Sequence, residues 1–325
     1  MQLSEDDLIA TLFAPMAGPG GLGLKDDAAL LVPPPGCELV LTKDALVASV
    51  HFFPEDPPDC IARKALRTNL SDLAAKGADP LGFLLAIALP AGIDADWLRV
   101  FAAGFGEDSK TYECPLLGGD TVKTPGPLMI SVTALGSVPA GRMARRTGAR
   151  PGDLIYVSGT IGDAALGLQA RLDAASFTAL SSLHRAHLLE RYLLPRPRNA
   201  LARAVRDHAN GSMDVSDGLV GDLTKMLKVS GVGAQVQLAA VPLSDAAQAA
   251  IAARPALFET AVTGGDDYEI LCTVPPEAAL SFESAAGAAG VPVTRIGQAT
   301  AGAGPQFIDL SGAGRVFARG SFSHF

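Results

Sequence analysis

Hydrophobic positions along the chain recur with two periods, and the changes between them predict most of the elements. Helical spacing appears first near the N-terminus, where Leu8, Ile9, Leu12 and Phe13 share one face of a helix over 1–14. It returns over Ile61–Lys76, whose Ile61, Ala65, Leu66, Leu70, Leu73 and Ala74 form a stripe to be buried, and over Trp97–Lys110. Apolar runs predict strands at Cys37–Leu41, Phe83–Leu89 and Leu128–Val138, and Asp26–Leu31 enters another. Ala17–Gly23 (AGPGGLG) reads as a loop, and Leu116–Thr121 (LLGGDT) lies between the Trp97–Lys110 helix and the Leu128 strand. Gly141–Gly152 (GRMARRTGARPG) then breaks the periodicity and concentrates charge, which predicts a domain boundary and two domains, 1–140 and 141–325.

The second half restarts with a strand at Asp153–Ser158 and a turn and helix over Gly159–Leu172. Helices near 184–192, 199–209 and 217–229 alternate with strands near 234–238, 268–274 and Val291–Ile296. The mixture predicts an α+β protein of two layered α/β domains rather than a plain βαβ repeat. No short tandem repeat is present.

Length and composition narrow the possible roles. With 325 residues, 48% hydrophobic and 18% charged, the chain can fill two ordinary cores. The balance of 26 basic and 34 acidic residues, net −8, with no basic block, argues against nucleic acid as the main partner. No apolar run reaches the ~20 residues of a membrane span, and the opening residues lack the basic region of a signal peptide. Cys37, Cys60, Cys114 and Cys272 form no CxxC pair, so reduced thiols in the cytoplasm are expected.

The chemistry concentrates in short acidic motifs. In Met213–Leu219 (MDVSDGL), Asp214 should close a strand, and Ser216 or Asp217 should cap the helix carrying Leu219, Leu223, Met226 and Leu227. That gathers acidic oxygens and free helix N–H groups at one point, which suits metal-bound phosphate. Asp26–Ala29, Thr42–Val47, Asn69–Ala75, Gly118–Thr121 and Gly264–Glu269 likewise set aspartates beside glycine or small residues at the ends of apolar segments. Burying such carboxylates is costly without a cation. All-oxygen ligands favour magnesium over zinc. Magnesium among glycine-flanked turns suggests phosphates, yet the chain has no Walker-type phosphate loop, protein-kinase signature or Rossmann fingerprint.

Taken in order, DDAALL, TKDALVASVHF, ALRTNLSDLAAKGADP, LLGGDT, RRTGARPGD, MDVSDGL, TGGDDYE and the terminal SHF resemble the thiamine-monophosphate kinase family, of the aminoimidazole ribonucleotide synthetase-like superfamily. The resemblance implies an N-terminal domain for ATP and magnesium binding and for dimerisation, followed by a C-terminal α+β domain. The N-terminal domains are expected to pair into a β-barrel in a homodimer. It also implies transfer of the γ-phosphoryl of ATP to thiamine monophosphate. By motif match, Asp27, Asp44, Asp72, Asp120, Asp214 and Asp217, with Thr42 assisting, would bind several Mg2+ ions. Gly119, Asp120, Arg146 and Ser216 would contact ATP, and His51, Asp266 and Phe322 the thiamine phosphate. Asp214, Asp217 and Arg146 would act on the transferring group.

The chain departs from the family pattern at Lys25 and Lys43, where small residues are usual. Asp266 replaces a glutamate, and Phe322 a tyrosine or tryptophan. Plainer readings exist for several residues: His51 as packing at a strand end, Arg146 as a surface charge, and Asp222, Asp267 and Glu269 as caps or structural acids. Two other functions remain open at this point, another ATP-dependent synthetase of the superfamily and a magnesium-nucleotide binding module without turnover.

Overall fold

The apolar stripe of the first long helix becomes the spine of the N-terminal core. In the computed structural model, which describes residues 5–309, 311–318, 320 and 321, the chain divides into two compact units. One comprises 1–73 and 78–141, the other 74–77 and 142–325.

The first unit holds α1 (Glu5–Leu8), β1 (Cys37–Val47), α2 (Pro58–Ala75), β2 (Asp79–Leu89), α3 (Ala95–Thr111), β3 (Leu116–Lys123) and β4 (Met129–Pro139). Ile61, Ala65, Leu66, Leu70 and Leu73 of α2 are fully buried, as their spacing requires. They pack in one cluster with Val40 and Leu46 of β1, Phe83, Leu85 and Ile87 of β2, and Ile130, Val132 and Ala134 of β4. Asp94 caps α3 by accepting the Trp97 N–H at 2.8 Å. Asp108 joins α3 to α2 through a two-pronged contact with Arg67, at 2.6 and 2.9 Å.

The sheet order is β1-β4-β2-β3, antiparallel except for the parallel β2–β3 pair. Because successive side chains alternate between faces, Leu39, Leu41, Leu84, Val122 and Met129 remain exposed opposite the core.

Four segments depart from their sequence pattern. Asp26–Leu31 forms no strand; it is an exposed irregular stretch tied by the Leu30 N–H to the Gly20 carbonyl at 2.8 Å. The first strand continues through Thr42–Val47 instead of ending there, because its pairing with β4 runs unbroken from Cys37 to Val47. LLGGDT is itself an edge strand, β3, and its glycines mask that in the sequence. Gly119 is required at its register: a Cβ there would lie 1.9 Å from the Leu85 carbonyl oxygen on β2. Part of the AGPGGLG stretch, Pro19–Leu24, is 3-10 helix.

The second unit contains β5 (Leu154–Ser158), α4 (Asp163–Leu172), α5 (Ser182–Leu193), α6 (Ala202–His208), β6 (Gly211–Val215), α7 (Leu219–Ser230) and β7 (Gly233–Gln237). It continues with α8 (Asp245–Ala253), α9 (Leu257–Thr263), β8 (Glu269–Val274), α10 (Ala279–Ala288), β9 (Val293–Thr300), β10 (Gly304–Ile308) and β11 (Gly314–Arg315). The sheet order is β11-β10-β7-β9-β5-β8-β6, mixed, with β10–β7 parallel. Alternate residues of β5 and β8 enter different clusters: Ile155, Val157 and Leu271 in one, Leu154, Tyr156, Ile270 and Cys272 in the other. Covered on both faces, these strands are apolar at nearly every position. The alanine-rich α8 and α10 have too little contrast between faces to announce themselves in the sequence. No described helix is long and apolar enough to cross a membrane.

Candidate active site

In the first unit, β1 and α2 bring Thr42, Asp44 and Asp72 together. The Thr42 hydroxyl donates to Asp72 Oδ2. Burial and the neighbouring Asp72 charge push Asp44 up to about 6, against a hydrogen bond from Thr68 that pulls it down. Two carboxylates held this close, one already reluctant to ionise, form a place that a cation would relieve. Lys43, the next position along β1, donates to Ser131 Oγ at 2.7 Å across β4, on the strand face opposite Thr42 and Asp44. Asn69 turns back onto its own helix, donating to the Ala65 carbonyl at 3.1 Å rather than joining Asp72.

Asp27 and Asp120 form a separate grouping. They line a cavity of about 570 Å³ with Asp26, Gly118, Gly119 and Thr121 on its polar side. Its apolar wall comes from Ile9, Phe13, Leu24, Leu84, Leu85 and Ile87 among others. The combination suits a flat apolar ring joined to a charged tail. Sequence pattern marked Ile9 and Phe13 only as a helix stripe, and nothing in their spacing signalled a cavity wall. His51 sits in the turn after β1, its Nδ1 accepting the Val47 N–H at 3.0 Å. In the neutral ring that bond puts the proton on Nε2.

In the second unit, MDVSDGL and GGDDYE lie side by side. The Asp266 N–H donates to the Ser216 carbonyl at 2.9 Å and the Tyr268 N–H to the Val215 carbonyl at 2.8 Å. Gly265 is needed at this crossing, since a Cβ would stand 2.3 Å from Ser216 O. Asp266 and Tyr268 both adopt positive φ, 73° and 52°, a conformation costly for residues with side chains and concentrated at functional sites. The Tyr268 hydroxyl donates to Asp266 Oδ1 at 3.3 Å. Asp267 between them is fully buried, accepts the Gly162 N–H at 2.8 Å, and is held well above the usual carboxylate range by burial.

The cap of α7 differs from the sequence expectation. Its N-cap is Gly218, with φ 114° and no side-chain cap, so neither Ser216 nor Asp217 caps the helix. The bonding runs the other way: buried Asp222 Oδ2 accepts the N–H groups of Ser216 at 3.0 Å and Asp217 at 2.8 Å. Asp222 therefore shapes the turn on which Ser216 and Asp217 are presented. Lys225, which the motif reading did not single out, donates to Asp217 Oδ2 at 2.5 Å and Asp222 Oδ1 at 3.0 Å. Asp214 is buried at the end of β6. Arg146 is exposed in a 3-10 turn whose backbone is fixed by Ser230 Oγ donating to the Arg146 carbonyl. Phe322 lies outside the described residues.

Among the described residues no three His, Cys, Asp or Glu side chains stand close enough to hold a metal by themselves. Such a set still fits magnesium, which commonly binds through one or two carboxylates and takes its remaining oxygens from water and substrate phosphates. The Asp44–Asp72 repulsion and the ammonium on Asp217 both mark carboxylates that call for positive charge.

Residues 25–138 match the AIR synthase related protein N-terminal domain family and residues 150–309 the C-terminal domain family. The thiamine-monophosphate kinase of Caulobacter vibrioides is 47% identical over 310 residues, 93% of this chain and 85% of that protein. That of Escherichia coli K12 is 44% identical over 86% of this chain and 84% of its own. The crystal structure of the Stenotrophomonas maltophilia thiamine-monophosphate kinase superposes with a TM-score of 0.81 at 39% identity, covering 87% of this chain and 89% of its own. A ThiL structure complexed with AMPPCP and TMP gives 0.79 at 30% identity over 100% and 99%. The chain thus belongs to the thiamine-monophosphate kinase family of the AIR synthase related proteins.

Proposed function

We propose that the protein transfers the γ-phosphoryl group of ATP directly to the phosphate of thiamine monophosphate, yielding thiamine diphosphate and ADP. The observation that carries this reading is similarity to thiamine-monophosphate kinases along nearly the whole chain. The acceptor phosphate is already anionic at neutral pH, so no strong base and no covalent nucleophile are needed. The difficulty is bringing two anions into line. When bound, magnesium neutralises the phosphate oxygens and lowers that repulsion.

We assign the holding of magnesium to Asp27, Thr42, Asp44, Asp72, Asp120, Asp214 and Asp217. Gly119, Asp120, Ser216 and Arg146 contact ATP. The glycine lets backbone approach the nucleotide, and the guanidinium meets phosphate as a fixed, always charged fork. Together Asp214, Asp217 and Arg146 orient the transferring group. On the acceptor side, the Nε2–H of His51 donates to phosphate and Asp266 faces the cationic thiazolium and the aminopyrimidine of thiamine. The cavity beside Asp27, Gly119 and Asp120 supports this division, having an apolar wall for a base and a polar wall for phosphates. ADP formation should require thiamine monophosphate and should not occur with unphosphorylated thiamine. Equal ADP release with either compound would refute the assigned acceptor.

Asp266→Ala separates acceptor from donor. The Michaelis constant for thiamine monophosphate should rise roughly tenfold or more, the scale of one charged hydrogen bond, with that for ATP close to wild type. A selective rise for ATP would move Asp266 to the nucleotide.

The first unit also supports a homodimer whose N-terminal domains close a barrel. Strands β1 and β3 are its sheet edges, and the open face carries Leu41 at 62% exposure beside Leu39, Leu84, Val122 and Met129. Pairing would cover both the edges and the apolar face. Light scattering at micromolar concentration should give twice the chain mass, and a monomer would contradict the pairing. The four cysteines are free thiols, in keeping with a cytoplasmic setting.

A further inference from the structure

Asp217 is assigned to metal, yet its carboxylate is already occupied by the ammonium of Lys225. Lys225 reaches it from the first turns of α7 and also bonds to Asp222, whose other oxygen fixes the Ser216 and Asp217 amides. One lysine therefore bridges a candidate ligand and the acid that shapes its turn. The two kinds of partner are not equivalent: Asp222 is buried at 1% side-chain exposure, whereas Asp217 and Lys225 are 41% and 40% exposed. Asp222 is fixed by two backbone donors, whereas the Asp217–Lys225 contact lies toward solvent. A divalent ion reaching Asp217 would repel the ammonium bonded there, and the flexible four-carbon stem lets the charge swing away while Asp222 keeps the turn in shape.

We infer that Lys225 is an exchangeable counter-ion, which neutralises Asp217 before metal arrives and, once displaced by it, pairs with a phosphate oxygen of the nucleotide. This rests on the proposed magnesium and ATP roles of Asp217 and Ser216. No bond is made or broken except ionic contacts, and the net charge is conserved as the ammonium passes from carboxylate to phosphate.

The test measures the melting temperature of the full chain against Mg2+ alone, without nucleotide, for wild type and Lys225→Met, with Lys225→Gln as a second uncharged variant. Loss of the competing ammonium should shift the Mg2+ midpoint about threefold to fivefold lower, the scale of a partly exposed ion pair. The shift should vanish in an Asp217→Asn background. The Michaelis constant for ATP should rise about tenfold in Lys225→Met, for want of the charged contact to phosphate. A lower melting temperature with an unmoved Mg2+ midpoint would make Lys225 a structural tie and overturn the exchange. A lower midpoint with unchanged ATP constant would overturn the transfer to phosphate. Should the wild type form no thiamine diphosphate while the midpoints shift as stated, the kinase reading fails and the counter-ion role at Asp217 survives.

Discussion

Asp44→Asn is expected to stabilise the metal-free protein and to abolish its activity. Asp44 has a folded-state value of about 6 against an ordinary 3.8, so the folded chain binds that proton more tightly than the unfolded chain does. Stability from this group is therefore present below about pH 4 and lost as pH rises to about 6. At pH 7 the cost is on the order of 3 kcal/mol, and asparagine removes it. The melting temperature of Asp44→Asn without metal should exceed wild type at pH 7 and match it near pH 4. Turnover should fall a hundredfold or more, since a lost ligand charge costs several kcal/mol of phosphate neutralisation. Asp72→Asn should lose activity to a similar degree with the fold intact, and it should return Asp44 toward its ordinary value. In wild type, magnesium affinity should rise with pH through about 6 as the competing proton leaves Asp44. Unchanged turnover in either variant at moderate magnesium would remove these two residues from the metal site.

Glu269→Ala should cost about 3–5 kcal/mol of stability, the cost of breaking a buried ion pair on one side only. The carboxylate is fully buried and accepts from Arg198 Nε at 2.6 Å, Arg191 Nη2 at 3.2 Å and Ser158 Oγ at 2.6 Å. Removing it leaves the buried Arg191 guanidinium without its carboxylate. Denaturant unfolding measures this as a shift in midpoint at constant slope. A loss below about 1 kcal/mol would mean that the network relaxes around the gap. Glu269 opens β8, three residues beyond Asp266, so the network also anchors the strand beside the turn that carries Asp266.

Much of this was legible in the chain itself. Ile61 to Leu73 announced α2 because burial on one helix face imposes its period, and Asp214 stood at the end of a strand as its apolar neighbours required. The acidic motifs were legible because an aspartate in apolar company needs a partner. Their grouping was not legible: Thr42, Asp44 and Asp72 meet across a strand and a helix, whereas Asp27 and Asp120 gather at a cavity whose apolar wall includes residues from the N-terminal helical segment. Register between non-adjacent segments decides such meetings, and one-dimensional spacing does not contain it. The capping expectation at Ser216 and Asp217 failed for a related reason. Local preference put a side chain over the α7 N-terminus, while Gly218 is the N-cap and buried Asp222 draws the same turn inward. Lys225 carries no distinct signal in the sequence, because a lysine three residues after an acid on a helix looks like an ordinary surface pair.

The most direct test of the central claim follows the γ-phosphoryl group itself. With ATP labelled at the γ-phosphorus, thiamine monophosphate and Mg2+, the label should appear in the terminal phosphate of thiamine diphosphate, one for each ADP formed. Label recovered as free phosphate, with ADP but no labelled thiamine diphosphate, would contradict direct transfer and point to one of the superfamily's synthetase reactions.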